Sequence, residues 1–300
     1  MTKTNPITIK KSDVTKYGKN STKIIDVIKV YGDSDTVYAR KGNDKITIYK
    51  GDNHFLCGGD GNDTIEVKKG NFHSVNGDKG NDTIKIKGGN YHYVFGDAGN
   101  DTIYVDTTVN LVMGGAGNDT IYVRKNATGG TLSGTAGGIQ GGSGNDIITV
   151  QAGIQHQIRP GSGNDTVKLI GGSGHDVFLD KGKNTVNISV ADVTLYQSSK
   201  KSVDKITVNW SKDIGTLQIN TVANASSKYK DNLTVKGVKS SDVAISYALH
   251  NSNTLVIADY TYTNTIEIID WVNNKSFSGI KFDDTKLSFS EINKRINSHL

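Results

Sequence analysis

Short runs of strict apolar and polar alternation recur along the chain. Lys45-Ile46-Thr47-Ile48, Thr64-Ile65-Glu66-Val67, Thr83-Ile84-Lys85-Ile86 and Thr102-Ile103-Tyr104-Val105 are four of them. Thr120-Ile121-Tyr122-Val123, Ile147-Ile148-Thr149-Val150 and Thr166-Val167-Lys168-Leu169 continue the series. An alternation of period two predicts a strand buried on one face, with the second and fourth residues of each run inward. A second short apolar piece follows about ten residues later, as Phe55-Leu56, Ser74-Val75, Tyr93-Val94, Leu111-Val112 and Gln157-Ile158. Each unit therefore predicts two short strands and two turns.

A tripeptide Gly-Asn-Asp precedes each alternating run, with its acid at Asp44, Asp63, Asp82, Asp101, Asp119, Asp146 and Asp165. The steps are 19, 19, 19, 18, 27 and 19 residues. The long step carries a Gly/Thr/Ser insertion at Asn126 to Gly138, expected to bulge from one coil as a loop. Near-constant spacing of two strands and two turns is the signature of a solenoid, one unit per coil, with coils stacked about 4.8 Å apart.

Composition agrees with this and excludes several classes. Among 30 acidic residues only Glu66, Glu267 and Glu291 are glutamate, so 27 are aspartate, and 35 glycines accompany them. Aspartate and glycine belong to turns and metal loops, whereas helical surfaces use glutamate freely. One cysteine, Cys57, excludes a cystine scaffold and a Cys-rich zinc site. Hydrophobic residues make up 35%, which suits a thin, elongated β structure better than a broad core. No apolar run is long enough to span a bilayer, and the opening residues lack the apolar stretch of a cleavable signal. The net charge of +5 permits an anionic partner without requiring one, and nucleic acid is not expected.

The two turns of each coil differ. One reads Gly58-Gly59-Asp60-Gly61-Asn62-Asp63, with variants at 77–82, 96–101, 114–119, 141–146 and 161–165. The other contains Gly51-Asp52-Asn53-His54, Gly70-Asn71-Phe72-His73 and Gly89-Asn90-Tyr91-His92, so that His54, His73, His92, Asn110 and His156 hold the place that aspartate holds opposite. The first turn, followed by Thr64-Ile65 or Thr120-Ile121, resembles the RTX family of haemolysin-type calcium-binding repeats, G-G-x-G-x-D-x-apolar-x, over residues 32 to 190. Typical members carry this turn on both edges; here it stands on one edge, so the chain resembles a one-rowed variant, similar to regions of some bacterial ice-binding adhesins.

The resemblance implies an all-β fold, a right-handed parallel β-roll or β-solenoid of about 19 residues per coil capped by a C-terminal β-rich segment. The expected organisation is an N-terminal cap and first coil (1–31), the calcium-binding roll (32–190) and degenerate coils with a capping and secretion-signal region (191–300). It also implies calcium between successive turns, shared by aspartates and carbonyls. The expected metal residues are Asp44, Gly58, Asp60, Asp63, Gly77, Asp78, Asp82, Gly96, Asp97, Asp101, Gly114, Asp119, Gly141, Asp146, Gly161 and Asp165. Seven turns leave six gaps, hence about six ions. Electrostatics points the same way: stacked carboxylates about 4.8 Å apart repel by roughly 3.5 kcal/mol per pair at an effective dielectric near 20. Calcium suits such a gap because it takes six to eight oxygen ligands in flexible geometry.

Other features have plainer readings. Asx-turn capping explains one aspartate but not seven in register. The histidines are expected to bond backbone carbonyls and pack on Phe55, Phe72 or Tyr93, with a transition-metal site as the alternative. Cys57 reads as a small core residue. The outward ladder Thr64, Thr83, Thr102, Thr120 and Thr166 fits strand propensity better than ice binding. Past Asp165 the pattern decays. Residues 242–289 read as capping strands and Ser290 to Ile296 as a final helix with Glu291 in its first turn, although Asp284-Thr285 stands where RTX C-terminal domains carry Asp-Gly.

Protease, hydrolase-elbow and phosphate-loop motifs are missing, so no enzymatic activity is expected. The resemblance implies an extracellular protein exported by a type I route without a cleaved signal, folding on calcium, with a structural, adhesive or surface role. Two alternatives remain. Lys68, Lys87 and Arg124, beside Lys50, Lys69 and Lys125, form a cationic stripe suited to an anionic polysaccharide, or the chain is the non-catalytic C-terminal part of a larger secreted enzyme or toxin.

Overall fold

The computed structural model describes residues 3–10, 15–20, 24–124, 138–197, 203–210, 214–221, 231–248, 251–261, 263–269 and 277–297. The chain divides into two compact units, Met1–Gly153 and Ile154–Leu300.

In unit 1 the chain passes alternately between two sheets. Its strands are β1 (Lys3–Ile9), β2 (Thr15–Tyr17), β3 (Ile24–Val30), β4 (Thr36–Tyr38), β5 (Lys45–Ile48), β6 (Phe55–Asp60), β7 (Thr64–Val67) and β8 (Ser74–Lys79). They continue as β9 (Thr83–Ile86), β10 (Asn90–Ala98), β11 (Thr102–Val105), β12 (Thr108–Ala116), β13 (Thr120–Val123), β14 (Gly138–Ser143) and β15 (Ile147–Val150). Odd-numbered strands form one parallel sheet and even-numbered strands the other. The register is that of a solenoid: Ile46 pairs with Ile65, Ile65 with Ile84, Ile84 with Ile103 and Ile103 with Ile121. The second and fourth residues of β7, β9, β11 and β13 are buried, as the alternation predicts. The column from Ile46 to Ile121 thus repeats one residue type, and the core is built of stacked Ile, Val and Leu, all buried. Full burial of such a side chain contributes about 1.5–3 kcal/mol.

Coils begin earlier than the Gly-Asn-Asp pattern shows. β1 pairs in parallel with β3, and β3 with β5. The insertion expected after β13 lies outside the described residues up to residue 137.

Unit 2 keeps the two-sheet plan and then closes it. It contains β16 (Gln157–Ser162), β17 (Thr166–Leu169), β18 (Asp176–Leu179), β19 (Thr185–Ile188), β20 (Val193–Gln197), β21 (Lys205–Asn209), β22 (Thr216–Asn220) and β23 (Asp231–Lys236). Then come β24 (Val243–Ala248), β25 (Asn251–Asp259), β26 (Thr265–Ile269), β27 (Phe277–Lys281), β28 (Lys286–Leu287) and helix α1 (Phe289–Asn297). β24 to β26 form the expected C-terminal strands as an antiparallel meander, with β26 parallel to β22. The helix begins one residue earlier than expected because Ser288, not Ser290, caps it. The Ser288 amide donates to Glu291 Oε2 at 2.7 Å and the Glu291 amide to Ser288 Oγ at 3.3 Å, a reciprocal capping box.

Candidate metal centre

The aspartates of the Gly-Asn-Asp turns point inward and form a continuous buried file, joined coil to coil through backbone amides. The Asp44 amide donates to Asp63 Oδ1 at 2.6 Å, that of Asp63 to Asp82 at 2.6 Å, that of Asp82 to Asp101 at 2.7 Å and that of Asp101 to Asp119 at 2.7 Å. The Asp119 amide reaches Asp146 Oδ1 at 2.8 Å. The file also runs upstream: the Asp26 amide donates to Asp44 at 2.7 Å, and Asn5 Nδ2 donates to Asp26. Asp26 was not legible in the sequence because no Gly-Asn precedes it. The 18-residue step to Asp44 and the apolar Val27-Ile28 register were its only signals.

From Asp44 to Asp119 each acid uses one oxygen this way and leaves the other without a partner. The Oδ2 atoms of Asp44, Asp63, Asp82, Asp101 and Asp119 are buried without a hydrogen-bond partner. Those of Asp63, Asp82, Asp101 and Asp119 lie against the backbone of Gly58, Gly77, Gly96 and Gly114, where an added Cβ would collide with them. Glycine at the place five residues before each acid thus opens a cradle beside the unpaired oxygen. Burial pushes Asp44 up to about 6, Asp63 to about 7, Asp82 to about 8 and Asp101 to about 6, and it raises Asp119 as well. The amide from the preceding coil pulls each back, and in Asp44, Asp63, Asp82 and Asp101 neighbouring carboxylates add to the rise. Oxygen-only donors, unpaired lone pairs and anions destabilised by burial are what a hard divalent cation satisfies. The residues fit calcium.

The other expected ligands are placed differently. Asp78 and Asp97 hold the second turn position at φ 71° and 72°, where Gly59 and Gly115 stand in other coils. Burial raises both, and in Asp78 the charge of Asp97 adds to it. Asp60 lies at the turn tip, half exposed, 3.7 Å from Lys79 Nζ and 4.0 Å from Lys41 Nζ, away from the file. The carbonyl of Gly141 abuts Gly114. Gly161 is displaced by one place: Pro160 stands five residues before Asp165, and Gly161 takes the second turn position with φ 99°.

A second ladder runs along the turn tips in the opposite direction. Asn43 Oδ1 accepts the Asn62 amide at 2.9 Å, Asn62 that of Asn81 at 2.8 Å, Asn81 that of Asn100 at 2.7 Å and Asn100 that of Asn118 at 2.6 Å. The asparagine side chain of the tripeptide therefore pins each tip to the coil after it, while the aspartate side chain pins it to the coil before.

The histidines form the mirror of the acid file at the other edge. His54 donates its amide to His73 Nδ1 at 3.1 Å and His73 to His92 Nδ1 at 3.3 Å, while Nε2 of these rings reaches the carbonyls of Lys50, Lys69 and Gly88 at 3.4, 3.4 and 3.2 Å. The rings stack with centroids 4.9 Å apart. Burial lowers His73 to about 3 and His92 to about 4, holding them neutral. The expected carbonyl bonds are present, but the expected packing partners are not: Phe55, Phe72 and Tyr93 are exposed, because the alternation that sends the adjacent residue inward sends them out. Asn110 also leaves the column. A register shift in β10 places Val109 opposite His92, and Asn110 Nδ2 turns to the Tyr91 carbonyl at 3.4 Å. His175, not anticipated, joins His156 at 3.4 Å. Cys57 is a correction too. It lies on the outer face, half-buried, and burial with the charges of Asp78 and Asp97 pushes its thiol up to about 12.

Fold and site together define a calcium-binding β-solenoid repeat module. The RTX calcium-binding nonapeptide repeat matches residues 25–54, 55–71, 93–121 and 133–153, all within unit 1. The chain thus carries RTX repeats, as the turn pattern indicated. Comparison with curated proteins gave no match. No helix among the described residues is long and apolar enough to cross a membrane.

Proposed function

We propose that the protein is a secreted, non-catalytic module that folds on calcium outside the cell and serves a structural, adhesive or surface-associated role. The observation that carries this reading is the row of buried, unpartnered Oδ2 atoms from Asp44 to Asp119. Such a row opposes folding as bare anions and favours it once charge is supplied. Bound calcium supplies that charge; the chain's part is to hold the carboxylates in file, clear a cradle with glycine and satisfy the remaining oxygens with amides. The expectation of about six ions counts the six gaps between the seven Gly-Asn-Asp turns from Asp44 to Asp165.

Export by a type I route agrees with such chemistry. Where calcium is scarce the carboxylate file keeps unit 1 unfolded, and where it is abundant even modest sites saturate and stabilise the fold by mass action. A polyanion-binding role has weaker support, since the three cations at equivalent places of the proposed stripe are engaged: Lys87 pairs with Glu66 at 2.5 Å, Arg124 is bidentate on Asp106 at 2.6 and 2.7 Å, and Lys68 covers the Tyr49 ring at 4.4 Å. Lys125 lies outside the described residues.

Circular dichroism during calcium titration tests the proposal. Disorder of unit 1 in chelator and a cooperative gain of β-structure with calcium are expected, with magnesium a poor substitute because it demands tight octahedral geometry. Full order in chelator would sink it.

A further inference from the structure

The acid file has a different chemistry in unit 2. Its members are Asp165, Asn184, Asp204 and Asp231, linked by the same amide bonds: Asp165 to Asn184 Oδ1 at 3.0 Å, Asn184 to Asp204 Oδ1 at 2.9 Å and Asp204 to Asp231 Oδ1 at 2.7 Å. Asn184 keeps the acceptor oxygen but brings no charge, and its Nδ2 donates to the Asp180 carbonyl at 3.4 Å. In the middle of the file the carboxylate has been replaced by its neutral isostere.

The cradle is also gone. In unit 1 the inward place five residues before each acid from Asp63 to Asp146 is glycine, at Gly58, Gly77, Gly96, Gly114 and Gly141. In unit 2 the corresponding place before Asp165 is Pro160 and before Asn184 is Leu179, both buried, and Leu179 is fully so. Leu179 pairs in register with Gln197 on the next coil. Gln197 therefore extends from that same inward column, and its Nε2 donates to Asp231 Oδ2 at 2.8 Å and lies 3.5 Å from Asp204 Oδ2. In Asp204 and Asp231 the oxygen that stands unpaired in unit 1 is met by a side-chain amide carrying two donors.

We infer that unit 2 closes its file with its own amide side chains, Asn184 and Gln197, and holds its fold without a divalent ion, so that calcium dependence is confined to unit 1. This rests on the calcium reading of unit 1 and adds a boundary to it. The confinement of all four repeat matches to residues before 154 is independent of the side-chain geometry and falls on the same side of that boundary. The protein then has a part that is ordered at any calcium level and a part whose order reports calcium.

Hydrogen exchange on the full chain, in chelator and in calcium, tests this. In chelator the amides of β19, β21 and β23 are expected to stay protected while those of β7, β9 and β11 exchange freely; calcium protects both sets. Loss of protection in both sets in chelator would overturn the inference and leave the calcium reading intact. Protection of both sets in chelator would overturn the calcium reading, and with it the contrast between the units. Two variants sharpen the test. Asn184→Asp restores charge to the file beside Leu179, where no glycine cradle opens, and the protection of β19 in chelator is expected to fall. Gln197→Leu removes the donor to Asp231, and the protection of β23 is expected to become calcium-dependent or be lost. If both variants retain wild-type protection in chelator, the amides do not perform this role and the inference fails.

Discussion

Asp63 gives its backbone amide to the carboxylate of Asp82, 2.6 Å away and one coil on, while the second oxygen of Asp82 faces Gly77 with no partner. One side chain thus does two jobs that can be separated. Asp82→Asn keeps the acceptor and deletes the charge, as Asn184 does in unit 2. It is expected to bind at least one calcium fewer by isothermal titration and to increase the residual order of unit 1 in chelator, read by circular dichroism. Asp82→Ala deletes both. It leaves the buried Asp63 amide unsatisfied, at a cost of about 1–3 kcal/mol that persists in saturating calcium. If the two variants behave alike in chelator, the carboxylate is not a source of strain in the metal-free fold.

The cradle makes a separate prediction. Gly77 and Gly96 need no unusual backbone angle, so what bars a side chain there is space alone: a Cβ would strike Asp82 or Asp101 Oδ2 and the carbonyl of the next coil. Gly77→Ala is expected to destabilise the calcium-loaded protein by about 1–3 kcal/mol, as overpacking does. Calcium affinity should fall with it, because the Cβ occupies the side from which the free oxygen is approached. Chemical denaturation at saturating and limiting calcium checks both effects, and an unchanged affinity would show that the glycine column serves packing only.

The metal-free protein should respond to pH in a defined direction. Asp63, Asp82 and Asp231 have folded values raised to about 7, 8 and 7 from 3.8, so the folded chain holds protons that the unfolded chain has released. Their contribution is fully present below pH 3.8 and is lost as pH rises through 7 to 8. His73, His92 and His175, whose folded values are lowered, stay neutral in the folded chain over this interval. Between pH 6.5 and 8, then, the chelated protein is expected to lose residual order, and calcium, which competes with those protons, to bind more tightly. Circular dichroism in chelator across that interval provides the check; a flat or rising signal of order would contradict the buried-anion account.

How far the sequence carried this picture depends on which way a residue faces. The period of 19 and the two-residue alternation were enough to place β7, β9, β11 and β13 and their inward Ile and Val, because a strand offers only two faces. The aspartate file was legible as well, since seven acids in register have few explanations. What the pattern did not display was the use of a turn side chain as a rung. Asn43, Asn62, Asn81 and Asn100 were visible only as part of a tripeptide, and their forward bonds depend on a tip geometry that no alternation encodes. The histidine edge shows the same limit. The place of His54, His73 and His92 opposite the acids was readable, whereas the outward turn of Phe55, Phe72 and Tyr93 was not, because in each turn an inward polar ring and an exposed apolar ring reverse the usual preference. In unit 2, Gln197 was unreadable because its role depends on register with Leu179, and no repeat marks that register.

The histidine file yields the last expectation. In His73, Nδ1 receives the His54 amide and Nε2 lies 3.4 Å from the Lys69 carbonyl, so Nε2 carries the hydrogen and neither nitrogen offers a lone pair to a metal. Zinc or nickel is therefore expected to leave the melting temperature of the calcium-loaded protein unchanged; a rise that vanishes in His73→Gln would reverse that assignment. Protonation breaks the ladder instead, since an imidazolium has no acceptor for the amide of the preceding coil. His73, His92 and His175 have folded values lowered to about 3, 4 and 4 from 6.5, so their contribution is present above pH 6.5 and is lost as pH falls through 4 to 3. The acid file responds in the opposite sense, gaining from protonation over part of the same range. Replacing His73 with Gln, which can offer an uncharged oxygen to the His54 amide, is expected to cost stability at neutral pH, where ring stacking on His54 and His92 at 4.9 Å is forfeited, and to reduce the loss on acidification. Denaturation of wild type and His73→Gln between pH 7 and 4 measures the two slopes, and equal slopes would show that acid unfolding starts elsewhere.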